Sequence, residues 1–205
     1  MTPIDQAALA RQGFSASAQD RLPLMPREAM SAAQREAADA LIAGPRKAVF
    51  GPFIALMRSP DLMSRVGKVG EYLRFDSPLD VRIRELAMCL VARHVSNQFE
   101  WLMHAPLALK AGVPASSLDA IAAGSYPHST AADEAATVDL VSELLQHHGT
   151  SDRAYAAALA LFGEQGVVEL TTLVGYFTMV CWVMNVARTP AQPQPGFTAL
   201  DAFPA

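Results

Sequence analysis

The stretch "RIRELAMCLVARHVSNQFEWLMHAPLALKAGV", residues 82–113, decides the fold. Apolar residues recur at helical spacing in its first half, where Leu86, Leu90 and Val95 follow a start marked by charged side chains. A second apolar helix follows and ends at Gly112. Pro106 lies inside this second helix, so we expect it to bend the helix or to end its first segment. The stretch therefore predicts two consecutive, largely buried helices.

Helix start and stop signals divide the rest of the chain in the same way. Ser31 and Gly44 bound one helix, and the pair Ser59 and Pro60 is typical of a cap followed by a first helical residue. We expect the helix that carries Glu85 to begin in the same manner, at Ser77 and Pro78. Further helices are predicted in "PASSLDAIAAG", "TAADEAATVDLVSELLQHHG", "SDRAYAAALALFG" and the apolar run of residues 167–187. No segment alternates with period two, so the predicted class is all-α, with seven or eight helices.

Proline-rich segments flank this helical region. The prediction is an irregular N-terminal arm at residues 1–30, a single helical domain at residues 31–188 and a C-terminal arm at residues 189–205. Phe197, Leu200 and Phe203 indicate that the C-terminal arm packs against something, with a neighbouring subunit as one option.

Composition restricts the partners. The chain has 205 residues, of which 51% are hydrophobic and 18% charged, and this apolar excess favours a subunit interface and hence an oligomer. The net charge is −4, and the only lysines are Lys47, Lys68 and Lys110. Binding to nucleic acid requires clustered basic residues, so no nucleic-acid partner is expected.

Other features indicate a cytoplasmic protein. The first residues show neither a basic region nor an apolar core of a secretory signal. Residues 167–187 are long enough to span a bilayer, but Glu169 and Asn185 favour a core or interface helix, and no membrane association is expected. Cys89 and Cys181 lie in apolar helices without a CxxC partner, so we expect buried free thiols in a reducing compartment.

Glu100 and His104 carry the first sign of chemistry. On a helix, positions four apart share a face, so the carboxylate and the imidazole can act together as proton donor and acceptor. The alternative is an ordinary helix-stabilising pair worth a few tenths of a kcal/mol. If the preceding helix packs alongside, Glu85 converges on the same place, with Asn97 one turn before Glu100. Two carboxylates and one histidine lack a second histidine at ligand spacing, so no metal is predicted.

Three segments resemble the carboxymuconolactone decarboxylase-like family, which also contains the alkylhydroperoxidase D-type thiol peroxidases. They are "GPFIALMRSPDLMSRVGKVGEYLRF", "RIRELAMCLVARHVSNQFEWLMHAPLALKAGV" and "VVELTTLVGYFTMVCWVMN", and the resemblance covers about residues 45–190. It implies an alkylhydroperoxidase D-like helical subunit that assembles as a homotrimer or homohexamer.

The peroxidase branch carries a glutamate, eleven residues, and then Cys-x-x-Cys-x-x-x-His. Here Glu85 and His104 match the glutamate and the histidine, whereas Asn97 and Glu100 stand at the two cysteine positions. Hydroperoxide reduction needs an attacking thiolate and a resolving thiol, which neither side chain supplies. We therefore set thiol peroxidase activity aside.

The decarboxylase branch keeps the Glu-x-x-x-His step without the cysteines. The resemblance then implies a cofactor-independent lyase or isomerase acting on a small carboxylated lactone, or a related acid, from the breakdown of aromatic compounds. We expect His104 as general acid/base, Glu100 as the group that orients it, and Glu85 as a second acid or organiser. The candidate substrate-binding residues are Arg84, Arg93 and Asn97, and a solvated-face or ion-pair role is the alternative for each arginine. Two alternatives stay open: a redox protein using Cys89, and a noncatalytic oligomer that binds small aromatic acids.

Overall fold

A computed structural model describes residues 19–128 and 131–200, and within these ranges it contains eight α-helices and no β-strand. This confirms the prediction of an all-α protein with seven or eight helices. The helices are α1 (Ala32–Ala43), α2 (Pro52–Leu56), α3 (Pro60–Glu71), α4 (Val81–His94), α5 (Gln98–Ala111), α6 (Ala115–Ala122), α7 (Ala132–His147) and α8 (Asp152–Ala187). A short 3₁₀ turn, Arg27–Ala29, precedes α1, and a π-helical turn, Tyr72–Asp76, extends α3.

Local sequence signals explain several helix ends. Ser31 forms a capping box with Gln34, in which each side chain bonds to the backbone of the other residue, and α1 ends at Gly44 as expected. At α3, Pro60 takes the first helical position, but the hydroxyl of Ser59 makes no capping hydrogen bond.

The predicted start of α4 was wrong. Asp80, and not Ser77, caps this helix, because its carboxylate accepts the backbone N–H of Arg82 at 2.7 Å. The Ser77 hydroxyl instead donates to Glu169 of α8 at 2.5 Å. A tertiary hydrogen bond has therefore taken the side chain that a local capping motif would use.

Helix α4 lies at the centre of the molecule, where α5, α7 and α8 all pack against it. Every residue from Glu85 to Ala92 is buried, which is why the helix lacks a polar stripe. Only three residues separate α4 from α5, so the two helices pack as an antiparallel pair. Helix α5 continues through Pro106 to Ala111, so the proline does not end it.

Helix α8 consists of two helical segments joined at Gly163, where φ is 67° and ψ is 177°. Gly163 is the residue at which the predicted helix "SDRAYAAALALFG" ends, so this helix and the predicted helix at residues 167–187 are both present. In the described part of the chain, α8 is the one helix whose length and composition would allow it to cross a membrane. In its most apolar stretch, 56% of the residues are buried against the rest of the chain.

The C-terminal segment packs on its own chain. Gln98 and Leu200 exchange two hydrogen bonds: the Leu200 N–H donates to Gln98 Oε1 at 2.8 Å, and Gln98 Nε2 donates to the Leu200 carbonyl at 2.9 Å. The indole N–H of Trp101 donates to the carbonyl of Thr198 at 3.0 Å. These bonds fix the segment to the first turn of α5. Residues 1–18 of the predicted N-terminal arm, and Phe203 in the C-terminal arm, lie outside the described residues.

Candidate functional site

The three residues that the sequence marked for acid–base chemistry meet at one imidazole. His104 Nδ1 lies 2.6 Å from Glu85 Oε2, and His104 Nε2 lies 3.0 Å from Glu100 Oε2. His104 is 1% exposed, Glu100 4% and Glu85 7%. The imidazole is thus held between two buried carboxylates, one at each ring nitrogen.

Helices α4 and α5 hold this cluster in place. Asn97 caps α5: its side-chain oxygen accepts the backbone N–H of Glu100 at 2.8 Å, which fixes the turn that carries the glutamate. Phe177 of α8 meets the His104 ring edge to face, with centroids 5.3 Å apart and an interplanar angle of 87°. Each group of the cluster therefore has a fixed orientation.

The hydrogen-bonding pattern fixes the number of protons. A carboxylate can only accept, so two bonds to the imidazole require two protons shared among the three groups. The cluster is then either an imidazolium between two carboxylates or a neutral imidazole with one protonated glutamic acid, and its net charge is −1 in both forms. When the cluster delivers one proton, its net charge changes from −1 to −2, so it must regain a proton before the next turnover.

The pKa of His104 is raised above its usual value. Burial by itself lowers it, because desolvation disfavours the imidazolium. Hydrogen bonds to Glu100 and Glu85, together with their negative charges, outweigh that effect. His104 is therefore charged over a wider pH range than a free histidine.

An arginine that the sequence did not mark lies beside the cluster. Arg46 is 8% exposed, and its guanidinium rests on the ring of Phe53 with its central carbon 4.7 Å from the centroid. Its guanidinium lies beside the hydroxyl of Tyr176, since both groups approach Gly70. Its Nη1 is buried without a hydrogen-bond partner, and no carboxylate within the described ranges lies at ion-pair distance. Burial lowers the pKa of Arg46, a cost of holding a charge away from water.

Tyr176 connects the arginine to the acid–base cluster. Burial raises the pKa of its hydroxyl to about 12, with the nearby charge of Arg46 opposing the shift and that of Glu100 adding to it. The phenol therefore stays protonated at physiological pH, and it can donate a hydrogen bond.

One small cavity adjoins both the arginine and the cluster. Its volume is about 20 Å³, room for roughly one water molecule. Glu100 and His104 line it on the acid–base side, with Arg46, Arg74 and Tyr176 on the other. Glu85 does not line it, so this glutamate lies behind the imidazole, at the nitrogen that faces away from the cavity.

Sequence reasoning did not assign Arg46, Arg74 or Tyr176 to the site. One local signal pointed to them: Gly70 stands inside α3, where glycine costs about 1 kcal/mol relative to alanine. A Cβ at Gly70 would lie 2.1 Å from the Tyr176 hydroxyl oxygen and 2.8 Å from Arg46 Nη2. The glycine leaves room for both groups.

The two arginines predicted to bind a substrate carboxylate lie elsewhere. Arg84 Nη1 donates to the backbone carbonyls of Leu73 and Arg74, at 3.2 and 2.5 Å, and so holds the π-helical turn. Arg93 lines a separate cavity at the end of α4. Neither lines the cavity beside His104, because their side chains leave α4 in other directions.

Asn97 was also predicted to bind substrate, and in the structure its side chain bonds to other parts of the chain. It is fully buried, its oxygen caps α5, and its Nδ2 donates to the Cys181 carbonyl at 3.1 Å and to Asn185 Oδ1 at 2.9 Å. These bonds occupy the amide, which ties α5 to α8.

Both cysteines are free and buried, as predicted. Burial raises the pKa of each thiol well above its usual value, and the charges of Glu85 at Cys89 and Glu100 at Cys181 add to the effect. Neither provides the accessible thiolate that a redox protein using Cys89 would need.

The cluster also lacks the geometry of a metal site. The two carboxylates bond to opposite nitrogens of the imidazole, so the three groups do not converge on one point. Within residues 19–128 and 131–200, no group of three or more His, Cys, Asp or Glu side chains is arranged to hold a metal ion.

Comparisons with known proteins do not assign a family. No family model matches the chain, and no curated protein matches it. The resemblance of residues 45–190 to the carboxymuconolactone decarboxylase-like family therefore stays a prediction.

Proposed function

We propose that this protein is a cofactor-independent carboxy-lyase of the carboxymuconolactone decarboxylase type, acting on a small carboxylated lactone or a related acid. One observation carries the proposal. A buried proton-holding cluster, Glu85–His104–Glu100, and a buried arginine without a counter-ion, Arg46, border the same cavity. A substrate with one acidic group and one carbon to be protonated needs the arginine to bind the acidic group and the cluster to protonate the carbon.

In the proposed reaction, Arg46 and the Tyr176 hydroxyl bind the substrate carboxylate through charge-assisted hydrogen bonds. The bond between the carboxyl carbon and the ring breaks, carbon dioxide leaves, and the electron pair moves into the unsaturated lactone to give a dienolate. The dienolate carbon then takes one proton. The substrate itself accepts the electrons, so the step balances without a cofactor.

The proton comes from the side of the cavity lined by Glu100 and His104. Glu100 and the Nε2 of His104 share the proton that is delivered, while Glu85 holds the Nδ1 side and stabilises the imidazolium. Glu85 is thus a positioning residue, and Glu100 has a more direct part than the sequence suggested.

Substrate binding requires the cavity to widen. About 20 Å³ does not accommodate a lactone ring, and small-molecule sites usually measure several hundred Å³. Phe50 and Met103 line the cavity and are only partly buried, so they are the side chains with room to move.

The same proposal includes a homotrimer or homohexamer in the cytoplasm, with no membrane or nucleic-acid partner. A line of exposed apolar side chains on α8, made by Val168, Trp182 and Val186, supports burial against another copy of the chain. Spacings of fourteen and four residues put the three on one face of the helix.

A turnover screen tests the proposal. The full chain is incubated with small carboxylated lactones and with β-keto and vinylogous acids, and carbon dioxide release is measured. We expect release with at least one substrate, and we expect His104→Gln to lower kcat by about 10²–10⁴-fold, the usual contribution of a general acid. His128→Gln, in an exposed loop, is the matched control and should keep full activity.

Ligand-induced stabilisation without carbon dioxide release from any of these acids would instead identify a noncatalytic binding protein. The buried Nη1 of Arg46, which has no hydrogen-bond partner, is the observation that favours this second candidate, because it supports binding of an anion without requiring turnover.

A further inference from the structure

A second cavity, of about 280 Å³, lies where the C-terminal ends of α4 and α6 meet α7. It shares no lining residue with the cavity beside His104. We propose that it binds a small monocarboxylic acid with a compact apolar body, at a site distinct from the proposed catalytic site. Its volume is near the lower end of the range for small-molecule sites.

Arg93 gives this cavity its charge. Its Nε is buried without a hydrogen-bond partner, and its Nη1 makes only a long contact, 3.5 Å, with the Ser96 hydroxyl. No described carboxylate lies within ion-pair distance of it. A guanidinium has five N–H donors, so this arginine keeps donors available for an anion.

Arginine in the last turn of a helix often bonds to the free carbonyls there, but Arg93 is not needed for that. The carbonyls of Val91, Ala92 and Arg93 already accept the backbone N–H groups of Val95, Asn97 and Ser96. Helix capping therefore does not explain the position of the Arg93 guanidinium.

Two neighbouring residues shape the site around the arginine. Gly124 has a φ of +78°, and a Cβ there would lie 2.9 Å from Arg93 Nη2, so glycine gives the guanidinium its space. The Ser142 hydroxyl, on α7, also lines the cavity and is buried without a partner. Two residues from different helices thus line one space, and each carries a polar group without a hydrogen-bond partner.

The remaining walls select the ligand. Leu90, Ile121 and Leu145 line the cavity with apolar surface, and no acidic side chain lines it. Burial, with a smaller effect from the charge of His148, lowers the pKa of His94, which also lines the cavity, so this imidazole is neutral at pH 7. The lining then carries one positive charge beside an apolar surface, which matches one carboxylate on an apolar ring or chain.

Calorimetric titration of the full chain with benzoate tests the proposal. The titration is run in an Arg46→Gln background, which removes the cation of the proposed catalytic site. We expect one equivalent of benzoate to bind, and a further Arg93→Gln change to weaken binding at least about tenfold, as expected for loss of a charged hydrogen bond. Benzamide, which has the same shape but no charge, should bind at least about tenfold more weakly than benzoate.

Equal benzoate affinity with and without Arg93→Gln, or equal affinity for benzamide and benzoate, would overturn the proposal. A crystal of the native chain soaked with 4-bromobenzoate provides a readout that needs no variant. Anomalous scattering from bromine should lie in the cavity lined by Leu90 and Ile121, and its absence there would also overturn the proposal. Carbon dioxide release tests the proposed lyase activity separately, so the lyase proposal and the proposed carboxylate site at Arg93 can fail independently.

Discussion

At the scale of single residues, the candidate site contains two buried side chains that carry charge, one with charged partners and one without. The imidazole of His104 has a carboxylate at each nitrogen, at 2.6 and 3.0 Å, whereas the guanidinium of Arg46 has none. A buried charge without a partner costs several kcal/mol, so a protein rarely keeps one without a use. The unpaired cation is the observation that supports the proposal that an anion binds at this site.

The stability that His104 contributes to the folded chain should depend on pH. Its pKa is raised in the folded state above the usual 6.5, so between these two values the folded chain binds more protons than the unfolded chain. Its contribution to the free energy of unfolding is then complete below about pH 6.5, and it is lost as the pH rises through the folded-state value. Urea unfolding of the native protein and of His104→Gln should show a stability difference that narrows as the pH rises above about 6.5.

His128→Gln is the control for this measurement, since it removes an imidazole from an exposed loop outside the cluster. A difference between native and His104→Gln that is constant or grows with pH would mean that His104 does not take up a proton on folding.

Sequence reasoning found one half of this site. Glu100 and His104 are one helical turn apart, and Glu85 lies in the neighbouring helix, so periodicity and a short connection bring them together. Arg46 and Tyr176 belong to a loop and to α8, and no local rule relates positions so far apart in the chain. The groups that we propose to bind the substrate carboxylate were not identified, because only tertiary packing brings them together.

At the scale of elements, α3 fits closely against the anion-binding half of the site. The Gly70→Ala change would put a methyl group 2.1 Å from the Tyr176 hydroxyl oxygen, so both Tyr176 and Arg46 must move. We expect the free energy of unfolding to fall by about 1–3 kcal/mol, as for other overpacked sites. Carboxylate binding next to His104 should weaken in the same variant, which a ligand titration measures.

Gly67→Ala is the matched control one turn earlier in α3. A Cβ at Gly67 would meet Leu41 at 3.6 Å and Phe53 at 3.7 Å, which are ordinary contacts. Alanine is the better helix former, so this variant should be as stable as the native protein or up to about 1 kcal/mol more stable. Equal stability of the two variants would contradict the close approach at Gly70.

Element boundaries were predicted well where a cap acts locally and poorly where a side chain has a distant partner. Ser31 caps α1 as expected, because its capping box involves only Gln34. Ser77 carries the same signal but bonds to Glu169, ninety-two residues away, and α4 starts three residues later than a cap at Ser77 would place it.

At the scale of the whole molecule, the apolar composition is only partly explained by the core. Val168, Trp182 and Val186 are each more than half exposed, and they follow one side of α8 beyond Gly163. Exposed apolar residues that line up in this way are typical of interfaces. The all-α class could be predicted from periodicity alone, whereas the assembly depends on which surface the fold leaves uncovered.

We expect Trp182→Asp to break the proposed oligomer while changing the stability of the isolated subunit by no more than about 0.5 kcal/mol, because the side chain touches solvent in one chain. Light scattering after size-exclusion chromatography measures the mass. Leu109→Asp, an exposed apolar residue on α5, is the control and should leave the mass unchanged. An identical mass for native and Trp182→Asp proteins would exclude this face as the interface.

The paired hydrogen bonds between Gln98 and Leu200 have a consequence for isotope exchange. The side-chain amide of Gln98 bonds to both backbone groups of Leu200, as a neighbouring strand would. The irregular segment at Leu200 therefore gains the protection from hydrogen exchange that is usually found inside secondary structure. In deuterated buffer, the Leu200 amide should exchange slowly, at a rate close to that of the first turn of α5 to which it is bonded. Its deuterium uptake would then report how often the N-terminal end of the helix that carries Glu100 and His104 opens to solvent.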